Sequence, residues 1–235
     1  MDNIIDKFVL DQLSVWPMAA SNFRDLKNVE TRSLEVGGLE VRLQHNPARI
    51  RSSAAKVDKA SLQARKCFLC SGNRPQEQIS MEFEGRKGRK YNILINPYPI
   101  FPEHLVIARN THVPQSIWHR LPDMTDLARH HPSFTIFYNG PKCGASAPDH
   151  FHFQACPRGL MPLENDIDRL LDEKKEGKPA ETLTYLTSVQ EAELFHYDKF
   201  TKGVFVLTAT TSKSMAKLFY RLLDCLPQRE DETEP

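Results

Sequence analysis

The chain has 235 residues, of which 40% are hydrophobic and 26% charged, and its net charge is +1. That balance is ordinary for one elaborated globular domain or two small ones, and it excludes a global electrostatic grip on nucleic acid or a membrane surface. No apolar run is long enough to span a bilayer. The N-terminal MDNIIDKFVLDQ lacks the basic and apolar parts of a signal peptide, and five cysteines are too few and too uneven for a secreted disulfide framework, so a cytoplasmic protein is expected.

Residues 3–20 carry Ile4, Ile5, Phe8, Val9 and Leu13 at helical spacing. SLEVGGLEVRLQ (33–44) alternates on both sides of Gly37-Gly38 and predicts a hairpin. KVDKASLQARK (56–66) predicts a short helix leading to Cys67, followed by a polar loop or strand pair. YNILINPYP (91–99) and HLVIARN (104–110) are strands. The stretch 113–132 is expected to be helical with a break near Pro122. SFTIFYNG (133–140) is a strand ending at Asn-Gly, PKCGASAPD (141–149) a loop, and HFHFQAC (150–156) a strand. Further on, residues 161–177 predict a helix ending at Gly177, VFVLTAT (204–210) a strand, and residues 212–226 an amphipathic helix with Ser212 as N-cap. The order implies an α+β fold with a largely antiparallel sheet and flanking helices.

Chemistry concentrates in two places. Cys67-Phe-Leu-Cys70 offers two thiolates, half of a tetrahedral zinc set, and there is no second C-x-x-C. Histidines must complete it, from the nine at 45, 104, 112, 119, 130, 131, 150, 152 and 196. His104 and His112 flank one strand, and spacing does not separate them; each also reads as a solvated strand-end histidine. A redox role for the C-x-x-C lacks a βαβ context. The second place is DHFHFQ (149–154). On a strand His150, His152 and Gln154 share one face and Phe151 and Phe153 the other, which suits either a half-buried strand or a reactive face.

CFLCSGNRP (67–75), HLVIARNTH (104–112) and FYNG…CGASAPDHFHFQ (137–154) occur in the order seen in the histidine-triad superfamily. Over roughly residues 35–160 the chain resembles its transferase branch: galactose-1-phosphate uridylyltransferase, diadenosine tetraphosphate phosphorylase and GDP-hexose phosphorylases. The resemblance implies a HIT-like antiparallel sheet stapled by a structural Zn²⁺ on Cys67, Cys70, His112 and His150. It implies that His152 is the nucleophile, attacking the α-phosphorus of a nucleotide to form a nucleotidyl-histidine. Gln154 stands where hydrolases of the superfamily have histidine. Its amide donates to a phosphoryl oxygen but cannot shuttle a proton, which favours transfer to phosphate over hydrolysis.

Asn139, Gly140, Lys142, Gly144 and Ser146 form the expected substrate-binding loop, its glycines admitting backbone N–H groups close to phosphate. Asn96, Arg109 and the Arg49/Arg51 pair are weaker candidates for phosphate or ribose. Cys143 and Cys156 read as buried small residues. Phe151 and Phe153 depart from the proline and glycine of uridylyltransferases and resemble the GDP-hexose phosphorylases. The expected organisation is an N-terminal helical segment (1–30), a HIT-like nucleotidyltransferase domain (31–226) and an acidic tail (227–235), ending before the second half common in the branch. The expected partners are a nucleotide or nucleotide-sugar substrate and phosphate, with a homodimer allowed and no nucleic acid or membrane. Hydrolysis, or nucleotide binding by a zinc-stabilised module without catalysis, are the competing activities.

Overall fold

The structure, a computed structural model, describes residues 3–49, 57–199 and 203–235. Arg51 and the expected helix start at Lys56 lie outside these residues. The elements in chain order are α1 (Asn3–Val15), α2 (Pro17–Asp25), β1 (Glu30–Val36), β2 (Leu39–His45), α3 (Lys59–Ala64), β3 (Met81–Glu84), β4 (Lys90–Ile95), β5 (Leu105–Arg109), α4 (Leu121–His130), β6 (Phe134–Phe137), β7 (His152–Pro157), α5 (Pro162–Lys175), β8 (Leu183–Val189), β9 (Ala192–Tyr197), β10 (Val204–Ala209) and α6 (Ser212–Cys225). The fold is mixed α and β with antiparallel sheets, and no helix among the described residues is long and apolar enough to cross a membrane.

The chain divides into two compact units. One takes the residues up to Glu30, His45–Arg158 and Glu234; the other takes Thr31–Gln44, Gly159–Thr233 and Pro235. The first unit holds a five-stranded sheet in the order β3-β4-β5-β7-β6. β7 runs antiparallel to both neighbours, pairing Gln154 with Val106 on β5 and with Phe137 on β6. Strand alternation sends Phe151 and Phe153 into the core, both with no exposed surface. Their rings meet edge to face at 4.8 Å, and Tyr91 and Tyr138 pack against them at 6.0 and 5.9 Å. The opposite face of β7 is therefore the one that carries His152 and Gln154.

Asp123 on α4 is fully buried and fully paired. It accepts from Arg89 Nε and Nη2 at 2.6 and 2.9 Å, from Tyr91 Oη at 2.6 Å and from the Arg86 N–H at 2.8 Å. This network ties α4 to the β3–β4 turn. Gly85 is required there, since a Cβ would lie 2.8 Å from Asp123 Cγ.

The second unit has the sheet order β10-β9-β8 and a core of Leu39, Leu170, Leu183, Phe195, Tyr197 and Val206. The β1–β2 hairpin turns on Gly37 and Gly38, at φ +61° and +80°, where a two-residue turn of this hand needs residues without a Cβ.

Several expectations shift. Pro122 does not break a helix but starts one: it lies in the first turn of α4, where its missing N–H costs nothing, and residues 113–120 are not helical. β7 begins at His152, two residues later than expected, because His150 closes a turn with its N–H on the Ala147 carbonyl at 3.1 Å. Thr211, not Ser212, caps α6 by accepting from the Ser214 N–H at 3.1 Å. Helix α3 is confined to residues 59–64, capped by Asp58, whose carboxylate accepts from the Ser61 N–H. Cys156 is buried, but Cys143 is exposed on its loop.

Candidate active site and metal cluster

The C-x-x-C forms a tight turn, with the Cys70 N–H on the Cys67 carbonyl at 3.3 Å and Asn73 Nδ2 donating to that carbonyl at 3.0 Å. Across from it, His150 Nε2 lies 2.7 Å from the Arg109 carbonyl. A carbonyl only accepts, so Nε2 carries the proton and Nδ1 the lone pair. That Nδ1 is 3.3 Å from Cys67 Sγ and 3.5 Å from Cys70 Sγ, and His112 Nδ1 is 3.3 Å from Cys70 Sγ. The four ligand atoms lie within 4.8 Å of one another. Bonds of about 2.3 Å to sulfur and about 2.0 Å to nitrogen imply sulfur–nitrogen edges on the order of 3.5 Å in a tetrahedron. The cluster matches that requirement. Burial and then the adjacent Cys67 push the Cys70 thiol above its ordinary value, since ionising both would set two negative charges side by side; a bound cation would relieve that. These four residues could hold a metal ion, and His104 is not among them.

His152 is 5% exposed. Its Nδ1 lies 2.9 Å from the His150 carbonyl, so Nδ1 carries the proton and Nε2 is left with the lone pair. Burial lowers its pKa, and the ring is neutral near pH 7. One residue in the turn before β7 thus joins both features: the His150 ring belongs to the Cys/His cluster, and the His150 carbonyl sets the tautomer of His152. The His152 side chain lines a cavity of about 300 Å³ together with Gln154, Ser146, Trp16, Phe68 and Tyr98. Gln78 and Asn96 supply amides to the same wall, and the Asn96 Oδ1 is occupied by the Tyr98 N–H at 3.0 Å.

Gln154 is held on both sides. Its Oε1 lies 3.0 Å from His104 Nε2, and its Nε2 donates to Asn139 Oδ1 at 2.7 Å. Asn139 Nδ2 donates in turn to the Cys143 carbonyl at 3.1 Å, closing the loop that follows β6. Gly144 in this loop sits at φ +85°, a conformation that favours glycine.

The expected substrate-binding residues do not all converge. Ser146 lines the His152 cavity and Asn139 contacts Gln154. Lys142 lines a separate hollow with Val57, Arg65, Cys67, His112 and Asp149. Gly140 packs against the Glu234 carboxylate, which accepts from Tyr138 Oη at 2.7 Å and the Ile117 N–H at 2.8 Å. Asn96 is in the cavity wall, while the Arg109 guanidinium stacks over Tyr91 and donates to the Lys90 carbonyl.

Sequence reasoning missed Gln115, Trp16 and the role of His104. Gln115 is 1% exposed and gives its whole amide to the site. Oε1 accepts from the His152 N–H, and Nε2 donates to the carbonyls of His152 and Asn139. Two residues beyond the last β6–β7 pair, Phe137–Gln154, the same register would set Asn139 opposite His152, and there the Gln115 side chain bonds the backbone of both. No local pattern around VPQS signals this. Trp16 precedes Pro17 at the α1–α2 junction, and only the tertiary fold brings it to the cavity.

Comparisons with known proteins agree with the fold. A family model described as "Domain of unknown function (DUF4922)" matches residues 8–157. Protein APA1 of Saccharomyces cerevisiae (strain ATCC 204508 / S288c) is 26% identical over 119 residues, covering 45% of this chain and 36% of that one. The chain thus spans about a third of the length of that curated relative. Among solved structures, yeast Ap4A phosphorylase Apa2 in complex with AMP superposes with a TM-score of 0.55 at 19% identity, over 90% of this chain and 70% of that one. The same enzyme in complex with Ap4A gives 0.51 at 17%, over 88% and 72%. With the family model covering well over half its length, the chain belongs to the DUF4922 family, and its fold is similar to that of yeast Ap4A phosphorylase Apa2.

Proposed function

We propose that the protein is a nucleotidyltransferase that phosphorolyses a dinucleoside polyphosphate through a covalent nucleotidyl-His152. One observation carries the proposal: the His150 carbonyl holds the proton on Nδ1 of a buried, neutral His152 whose ring lines a cavity with Gln154. In the first step the Nε2 lone pair attacks the α-phosphorus. The N–P bond forms as the bond to the bridging oxygen breaks, and the electron pair leaves on the departing polyphosphate. In the second step an oxygen of inorganic phosphate attacks the same phosphorus, the N–P bond breaks, and the lone pair returns to Nε2, releasing a nucleoside diphosphate. Nδ1 keeps its proton on the His150 carbonyl throughout, which stabilises the positive charge on the substituted ring.

The aromatic walls of Trp16, Phe68 and Tyr98 suit a nucleobase, and the Gln78 and Asn96 amides suit its polar edge. Gln154 and Ser146, which line the cavity, are the proposed phosphate contacts, with Asn139 holding the Gln154 amide; Lys142 and Gly140 lie away from it. Cys67, Cys70, His112 and His150 would hold one Zn²⁺. Four protein ligands leave no open position, so that ion would supply rigidity and not Lewis acidity. The residues themselves fix the turn before β7 and so the carbonyl that orients His152.

The test incubates the purified chain with Ap4A, UDP-glucose or GDP-glucose, each with and without inorganic phosphate, and separates the products. Phosphate-dependent ADP from Ap4A supports the proposal. Phosphate-dependent cleavage of a nucleotide sugar would move the substrate class and keep the mechanism. AMP release that is independent of phosphate identifies a hydrolase, and no product from any substrate identifies a binding module.

A further inference from the structure

We propose that His104 is a positioning residue that fixes the Gln154 amide with its N–H face, not its carbonyl, available to the substrate phosphoryl group; this rests on the nucleotide reading above. The polarity of the hydrogen-bond chain can be derived from its ends. The Ile100 N–H, 3.3 Å from His104 Nδ1, can only donate, so Nδ1 bears the lone pair. The proton of a neutral ring is then on Nε2, which donates to Gln154 Oε1 at 3.0 Å. At the far end the Cys143 carbonyl can only accept, so Asn139 donates through Nδ2 and receives through Oδ1. Gln154 Nε2 donates to that Oδ1 at 2.7 Å. A glutamine amide is ordinarily free to turn over. Here, a turned amide would set its oxygen against Asn139 Oδ1 and its NH₂ against the His104 N–H.

The imidazole is built to stay neutral in this chain. His104 is 1% exposed, with the Phe137 ring stacked on it at 6.1 Å and the Phe101 ring edge-on at 5.7 Å. Burial holds its pKa at about 4. Among the described residues the group that meets Nδ1 is the Ile100 N–H, a donor, so a doubly protonated ring would set two donors against each other. With Oε1 consumed by His104, Gln154 keeps a second Nε2 proton for the cavity it shares with His152. An anionic phosphoryl oxygen there meets a donor. A carbonyl in its place would repel it. The same chain runs into the 139–143 loop, so amide orientation and loop geometry are set together.

The probes are AMP and adenosine, which differ only in the phosphoryl group, and the readout is binding to the full chain by calorimetry. Wild type should prefer AMP over adenosine. His104→Phe keeps the ring volume but frees the amide, and should lower that preference by about tenfold, the scale of one hydrogen bond to a charged group, while adenosine affinity stays within twofold or so. His104→Gln places an N–H where Nε2 was and should restore most of the preference, whatever its melting temperature. Gln154→Ala should lose as much as His104→Phe, and the double variant no more than either. A His104→Phe variant that keeps the full preference, or losses that add in the double variant, would overturn the role of His104 while leaving the nucleotide reading intact. A wild type that binds neither probe overturns both.

Discussion

The side-chain amide of Gln115 takes both backbone groups of His152: Oε1 accepts the His152 N–H at 2.8 Å, and Nε2 donates to the His152 carbonyl at 3.0 Å. A third bond, 2.9 Å to the Asn139 carbonyl, completes a side-chain rung between the proposed nucleophile and the loop. Replacing Gln115 with Met keeps the volume and leaves these groups unpaired in a buried site, at about 1–3 kcal/mol each. Gln115→Met should therefore melt several degrees lower, and should lose turnover by more than its stability loss accounts for. Thermal melts alongside single-turnover rates check this; a variant with normal turnover would show that the rung is only structural.

The two histidines of DHFHFQ should fail differently. Wild-type protein should carry about one zinc per chain, measured by plasma mass spectrometry, and a strong chelator should lower its melting temperature. His150→Ala should lose the metal and melt lower. His152→Gln should keep both metal and stability, because its ring makes no contact with the cluster sulfurs. A metal-replete, fully stable His150→Ala would remove His150 from the ligand set.

Asp123 should matter for folding alone. Asp123→Ala strands the Arg89 guanidinium and the Tyr91 hydroxyl in the core, where breaking a buried pair costs about 3–5 kcal/mol. Chemical denaturation of the variant should show a loss of that order; a loss under about 1 kcal/mol would mean that Arg89 finds solvent instead.

Acid stability should report on His104. Its folded pKa is about 4 against 6.5 for the free side chain, so between these values the unfolded chain binds the extra proton. Stability from this group is full above pH 6.5 and falls as the pH drops towards 4, by roughly 3 kcal/mol in all. Denaturation curves across that window should flatten in His104→Gln relative to wild type.

The fold was legible where chemistry is local. The Gly37-Gly38 turn, the alternation of β7 and the amphipathic α6 follow from backbone conformation and periodicity. Pro122 misled because a proline that breaks a helix interior also opens a first turn, and the residue type alone does not say which. The Cys/His cluster was legible through the motif resemblance, although spacing left His104 and His112 equal; the structure separates them by giving His112 to Cys70 and His104 to Gln154. Gln115 and Trp16 were invisible for a common reason. Each reaches the site from a distant segment, and its meaning lies in which backbone groups or cavity it meets, not in its neighbours in sequence.

In the proposed reaction His152 Nε2 becomes covalently nucleotidylated. The direct measurement is intact-mass and peptide-mapping spectrometry of the chain quenched after brief mixing with Ap4A in the absence of phosphate. An adenylyl adduct is expected on the peptide containing His152, acid-labile as a phosphoramidate is, absent from His152→Gln, and discharged as ADP when phosphate is added. Phosphate-dependent ADP formation without any adduct, or an adduct that persists in His152→Gln, would contradict it.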